Sequence, residues 1–298
     1  MVISLLLAFI SAILLGFYDF WKKLSLNKNT VIPVLLISSL SSAIFFVILV
    51  NVLSIKFQFF QIKLFNITTK MHLLFAIKSI IVGISWILAY FAVKNLPLTI
   101  ASPIRASGPV WTLFGAIIFF GERMSFMQWL GIIITIIFYY LFGFIGEKEG
   151  LSFKNNKWIF YMTISTIIGS ISSLYDKFLV NHYNKIIMQM WYHFYMVIFI
   201  GCVLLFTWKN YKATYKTLQW RWSIPLIGIT LSLSDLLYFL SLSYPDALIS
   251  TITTIRRGSV IVSFGLGAMF LNEKNLKYKA ITLIGILTGI FIIILSSK

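Results

Sequence analysis

The chain has 298 residues, of which 59% are hydrophobic and 11% charged, with a mean hydropathy of +0.93. That composition excludes a soluble globular domain and places the chain in the polytopic membrane class. The net charge of +17 does not point to nucleic acid, because the basic residues lie in short stretches between apolar runs, where they anchor helix ends in the headgroup layer.

A spanning helix needs about 20 predominantly apolar residues, and ten runs meet that length. They lie near 2–21, 31–53, 72–93, 98–120, 125–146, 158–180, 186–207, 223–243, 246–271 and 277–296. The first has no basic stretch ahead of its apolar run and no small-residue cleavage site after it, so it reads as a retained helix. Tryptophans at 158, 208, 220 and 222 fall near run ends, where an amphipathic ring prefers the interface. Short connections predict that consecutive helices lie antiparallel and adjacent. The single cysteine, Cys202, excludes an intramolecular disulfide and is expected to be a small buried apolar residue. The polar stretch 147–157 divides the chain into five-run halves, 1–149 and 150–298.

The halves resemble each other. "SPIRASGPVWTLFGAIIFFGER" (102–123) lies over "TTIRRGSVIVSFGLGAMFLNEK" (253–274), matching Arg105 with Arg256 and Glu122 with Glu273. "LAYFAVKNLP" (88–97) lies over "LLYFLSLSYP" (236–245), and "ISAILLGFYDFWKKLSLN" (10–27) over "ISTIIGSISSLYDKFLVN" (164–181), where Lys23 meets Lys177. An odd number of helices per repeat makes the second copy enter from the opposite side, so the halves are expected to be inverted repeats, an arrangement many secondary transporters use.

Five plus five helices, "GER" (Gly121, Glu122, Arg123) after the fourth run, "NEK" after the ninth, and Lys23 seven residues after Gly16 together resemble the EamA family of the drug/metabolite transporter superfamily. The resemblance implies an all-α polytopic membrane protein of ten transmembrane helices in two inverted five-helix repeats. It also implies a secondary transporter of a small metabolite in a bacterial inner membrane, with its termini in the cytoplasm. A sugar or drug permease, or a component of a lipid-linked-sugar flippase, is the alternative that the same resemblance implies. The chain departs from the family pattern in carrying "IRRGS" with Val260 where the first half has Pro109.

Ionisable groups inside a membrane normally face the bundle interior, a partner or water. By position they are Asp19, Lys78, Arg105, Asp176, Lys177, Asp235, Arg256 and Arg257, whereas Lys22 and Lys23 near a run end are expected to reach the interface. Adjacent helical residues diverge, so Arg256 and Arg257 cannot both face one cavity. Arg256, the mate of Arg105, is expected there, with Arg257 paired to Asp235 or Asp176. The five cations exceed the three carboxylates, and a guanidinium fits carboxylate or phosphate in bidentate fashion, so the substrate is expected to be an organic anion or an amino-acid-like zwitterion. The competing expectation is that internal carboxylates neutralise the arginines and merely lock the bundle.

Pro97, Pro103 and Pro109 interrupt the fourth run, and irregular backbone at membrane depth is tolerated where it lines a cavity or is packed in protein. Tyr18, Tyr90, Trp111, Tyr175 and Tyr238, with Trp86, lie at comparable depth and are candidate walls. Asp19, Asp176 and Asp235 are where a coupling proton would be carried. Glu122 and Glu273 are assigned to helix ends. His72, His182 and His193 match no metalloprotease spacing and no phosphate loop occurs, so neither an enzyme, a metal nor a cofactor is expected. The expected partners are a small-molecule substrate, membrane lipids and, in a monomer or homodimer, no nucleic acid. Most other Lys and Arg, with Lys22, Lys23 and Lys279 among them, fall on the face opposite the termini. By the positive-inside rule that puts the termini outside, against the resemblance.

Overall fold

The computed structural model describes residues 2–57, 67–108, 110–111, 114–115, 118, 125–147, 155–215, 218–242, 255–256, 258–271 and 275–295. Among them lie ten helices: α1 (Val2–Leu26), α2 (Val31–Phe57), α3 (Thr69–Asn95), α4 (Leu98–Ala106), α5 (Phe126–Glu147), α6 (Lys157–His182), α7 (Lys185–Tyr215), α8 (Ser223–Leu242), α9 (Ser259–Phe270) and α10 (Leu276–Leu295). Five stretches are long and apolar enough to cross a membrane: Ile3–Leu26, Val31–Asn51, Thr69–Asn95, Lys157–Asp176 and Lys185–Trp208. The chain is an all-α integral membrane protein, and large apolar side chains such as Leu205, Phe206 and Met269 stand exposed where lipid would cover them.

Local sequence explains several boundaries. Thr68 starts α3 by accepting from the Met71 backbone N–H, and Asn156 starts α6 by accepting from that of Trp158. Pro97, which cannot extend α3, stands at the amino end of α4. Asn275 turns the chain into α10 with a φ of 54°, a left-handed conformation that asparagine tolerates better than most residues.

The first helix corrects the apolar ruler, since α1 runs on to Leu26 and carries Lys22 and Lys23 inside the fold. Polar residues can extend a buried helix when each finds a partner. Lys23 Nζ donates to the carbonyl oxygens of Val93 at 2.8 Å, Lys94 at 3.3 Å and Leu96 at 2.5 Å, capping the carboxyl end of α3. Lys22 is buried against Asp19 rather than reaching the interface. Lys279, also buried, donates to Thr99 Oγ1 at 3.0 Å. Lys22 and Lys279 therefore leave the surface charge count that opposed cytoplasmic termini. Cys202 is exposed, not buried, because its part of α7 faces outward with Leu205 and Phe206.

Packing joins the halves instead of chain neighbours. Despite the short link between them, α1 and α2 touch little, while α1 packs mainly on α8, α3 on α6, α5 on α10 and α2 on α7 and α8. The adjacency expected from short connections is overturned, because lipid offers helices no hydrophobic preference for one apolar neighbour over another. Small residues and interhelical hydrogen bonds decide which faces meet. Ser11 Oγ donates to the Ser234 carbonyl at 2.7 Å and Ser234 Oγ donates to the Ser11 carbonyl at 2.8 Å. Ser85 and Ser165 make the same exchange between α3 and α6, at 2.8 Å both ways. At Gly228 a Cβ would collide with the backbone of Ser38 and Ser42, so only glycine lets α8 approach α2 this closely. The buried ring of His193 joins that contact, its Nδ1 3.1 Å from Ser42 Oγ.

Candidate substrate-binding site

Arg105 and Arg256 sit at matching interruptions of two helices. After Arg105, α4 ends at Ala106, and the backbone N–H of Ser107 donates to the Ile104 carbonyl at 3.2 Å, followed by Val110 N–H to the Ser107 carbonyl at 3.0 Å. After Arg256, Gly258 N–H donates to the Ile255 carbonyl and Ile261 N–H to the Gly258 carbonyl, both at 2.9 Å. Each i to i+3 step tightens the backbone where a regular helix would have i to i+4 bonds. Around the first break Pro103 removes a donor, Ser170 of α6 donates to the Gly108 carbonyl at 2.9 Å, and Ser102 of α4 lies 2.9 Å from Ser263 of α9.

The two guanidinium groups take different carboxylates. Arg105 pairs with Asp19 of α1, and Lys22, one turn further along α1, donates to the same Asp19 oxygen at 2.9 Å. The Lys22 ammonium also lies 4.4 Å from the centre of the Tyr18 ring and 5.2 Å from that of Tyr90. Arg256 pairs with Asp235 of α8, its guanidinium 4.2 Å from the centre of the Tyr238 ring. A third pair, Lys78 of α3 with Asp176 of α6 at 2.7 Å, stands beside Tyr192.

Exposure separates these groups. Asp19 is 4% exposed and Lys22 2%, whereas Arg105 keeps 28% of its side chain open. Arg256 and Asp235 are open to 22% and 20%, and Asp176 to 39%. A charged group open at membrane depth faces water, since lipid would leave it unsolvated.

Height separates them too. The helices α1 and α8 run antiparallel, with Ser11 against Ser234 and Ser25 against Ser223. Asp235, next to Ser234, therefore stands level with Ser11, while Asp19 lies a little over two turns along α1, about 12 Å along the axis. The Arg105 cluster lies toward the end of α1, and the Arg256 pair lies nearer the middle of that helix.

Of the residues singled out in the sequence, the structure gathers Tyr18, Asp19, Tyr90 and Arg105 in one place and Asp235, Tyr238 and Arg256 in another. The expected approach of the two helices is seen, since α4 packs on α9 with Ser102 beside Ser263, while Arg105 and Arg256 are held by aspartates of different helices. Tyr175 is in neither group; its hydroxyl donates to the Leu74 carbonyl at 3.2 Å and its ring packs with Phe178. Trp111 donates back to Ser107 one turn earlier, at 3.2 Å, and packs near Phe114. Among the described residues Asp235 pairs with Arg256 and Asp176 with Lys78; the expected Arg257 pairing falls on a residue outside them. Arg257, the Lys177 side chain, Pro109, Glu122 and Glu273 lie outside the described residues. Sequence reasoning missed Lys22, although its i, i+3 spacing from Asp19 is the signal that would have found it. Among the described residues no cluster of His, Cys, Asp and Glu could hold a metal ion.

Comparison with known proteins agrees with this architecture. "Protein RarD" of Salmonella typhi is 34% identical over 91 residues, which is 30% of this chain and 31% of that protein. "Protein RarD" of Salmonella typhimurium (strain LT2) matches with the same identity and coverage. The chain thus aligns with about a third of the length of these relatives. Residues 2–144, which carry α1 to α4 with Asp19, Lys22 and Arg105, match the EamA-like transporter family.

Proposed function

We propose that the chain is a secondary transporter that carries a small organic anion, or an amino-acid-like zwitterion bound through its carboxylate, by alternating access between inverted repeats. The observation that carries this reading is the sharing of Asp19 by two cations. One carboxylate cannot neutralise both Lys22 and Arg105, and a buried uncompensated charge is costly, so the cluster favours an incoming anion. The open part of Arg105 is where that anion would dock, since a guanidinium keeps further donors in its fork after one ion pair.

Two features support inverted repeats meeting at the site. The helix breaks after Arg105 and Arg256 share one hydrogen-bond pattern, and the pairings α1 with α8 and α3 with α6 exchange serine bonds in the same way. Discontinuous helices with charged groups at the break suit a carrier that opens to one side at a time. A coupling proton would be carried among Asp19, Asp176 and Asp235, the carboxylates at membrane depth. The family and its Salmonella relatives support a transporter rather than an enzyme, residing in a bacterial inner membrane.

The test is uptake by purified protein in liposomes of acidic, zwitterionic, cationic and neutral sugar solutes, with and without a pH gradient. Saturable movement of an acidic or zwitterionic solute, abolished in Arg105→Gln while the protein stays folded, is the expected result. Movement of cations or sugars alone overturns the reading.

A further inference from the structure

We propose that Lys22 sets the charge of the substrate, so that the Arg105 cluster selects a solute bearing one net negative charge over neutral zwitterions and over dianions. The inference rests on the anion-carrier reading above and narrows it. Arg105 and Asp19 alone would form a neutral pair, which gives no electrostatic preference between a zwitterion and an anion. Lys22 adds one positive charge to the same carboxylate oxygen at 2.9 Å, and it is too deeply buried for water to screen it. Its other neighbours are the rings of Tyr18 and Tyr90, which stabilise an ammonium without neutralising it. The described cluster of Lys22, Asp19 and Arg105 therefore carries one positive charge in excess. A monoanion restores neutrality, a zwitterion leaves the excess in place, and a dianion overshoots it.

The cluster differs in this from the rest of the buried charge. Among the described residues Arg256 with Asp235, and Lys78 with Asp176, each form a single pair of opposite charges. Lys22 is also replaceable without orphaning a partner, because Asp19 keeps Arg105. Methionine at 22 would present an unbranched apolar chain to the same two tyrosine rings, so Lys22→Met is compatible with folding.

The experiment uses liposomes of phosphatidylcholine alone, so that no lipid headgroup supplies net negative charge. Competing uptake is measured for lactate and succinamate (one net negative charge), alanine and glutamine (zwitterions), and succinate and malate (dianions). The wild type is expected to prefer at least one monoanion over the zwitterions and dianions by about tenfold or more. Lys22→Met is expected to lose that preference toward zwitterions, and Lys22→Arg to retain it. A wild type that prefers zwitterions or dianions overturns the proposal, as does Lys22→Met with the charge order unchanged. If Lys22→Met fails to assemble, Lys22→Arg carries the test, and an altered charge order there overturns the proposal. No uptake of any of the six solutes overturns the anion-carrier reading beneath it. Added phosphatidylglycerol that competes with succinamate would assign the charge site to a lipid headgroup and overturn the solute assignment.

Discussion

Arg105 and Arg256 occupy matching positions in the two halves of the sequence, two residues before a backbone turn, yet their surroundings differ in charge balance and openness. Arg105 shares one nearly dry carboxylate with Lys22, whereas among the described residues Asp235 pairs with Arg256 alone, with Tyr238 against the guanidinium and both charges partly open. The difference teaches that a retained arginine fixes where a charge sits and not what it does. Its task follows from how many cations share the carboxylate and how much water reaches them. In the first cluster two cations meet one closed carboxylate while the Arg105 guanidinium stays partly open, which suits recognition of an anion. In the second, the described pair is partly open on both sides, which suits a contact that breaks and re-forms.

The largest expected effect that tests this contrast is the loss of Asp19. Asp19→Asn strands the buried Lys22 and leaves the part-exposed Arg105 without its carboxylate; removing one partner of a buried ion pair costs about 3–5 kcal/mol, so thermal unfolding in detergent should show a severely destabilised protein. Asp235→Asn should cost about 1–2 kcal/mol in the same measurement, because Arg256 keeps water and the Tyr238 ring. Equal losses would remove the distinction between the two sites. Lys78→Met should cost about 1 kcal/mol, since it leaves the buried Oδ1 of Asp176 without its ion pair while the rest of that side chain is exposed. The smallest effects concern the serine exchanges. Ser11→Ala and Ser85→Ala should each cost about 0.6 kcal/mol, the average for a hydrogen bond between membrane helices, and should match each other. A clear inequality would sever the correspondence between the α1 with α8 and α3 with α6 contacts.

Much of the helix order was legible from hydropathy alone, and the ten runs correspond in order to α1 through α10. The ends were less so. Hydropathy ends the first run before Lys22, while the helix continues because Asp19 and the carbonyl oxygens ending α3 receive the two ammonium groups. The breaks after Arg105 and Arg256 were half visible. Three prolines announced the first, but the second depends on Gly258 without a nearby proline and shows itself only in its hydrogen bonds. The aromatic candidates sorted by geometry, with Tyr18, Tyr90 and Tyr238 meeting cations while Tyr175 and Trp111 turned to backbone and neighbouring rings.

The sequence by itself determined that this chain lies in a membrane as a set of apolar helices, that few charges enter them, and that Arg105 and Arg256 recur in register. Those properties are local, written in run length, composition and spacing, because lipid forces each spanning segment to satisfy its own backbone. Only the tertiary structure decided that Asp19 serves both Lys22 and Arg105, that Asp235 serves Arg256, and that the two arginines take aspartates of different helices. A helix in lipid has no hydrophobic gradient telling it which neighbour to choose. The partners of its buried charges are set by close packing and hydrogen bonds between distant segments, which no stretch of the sequence contains on its own.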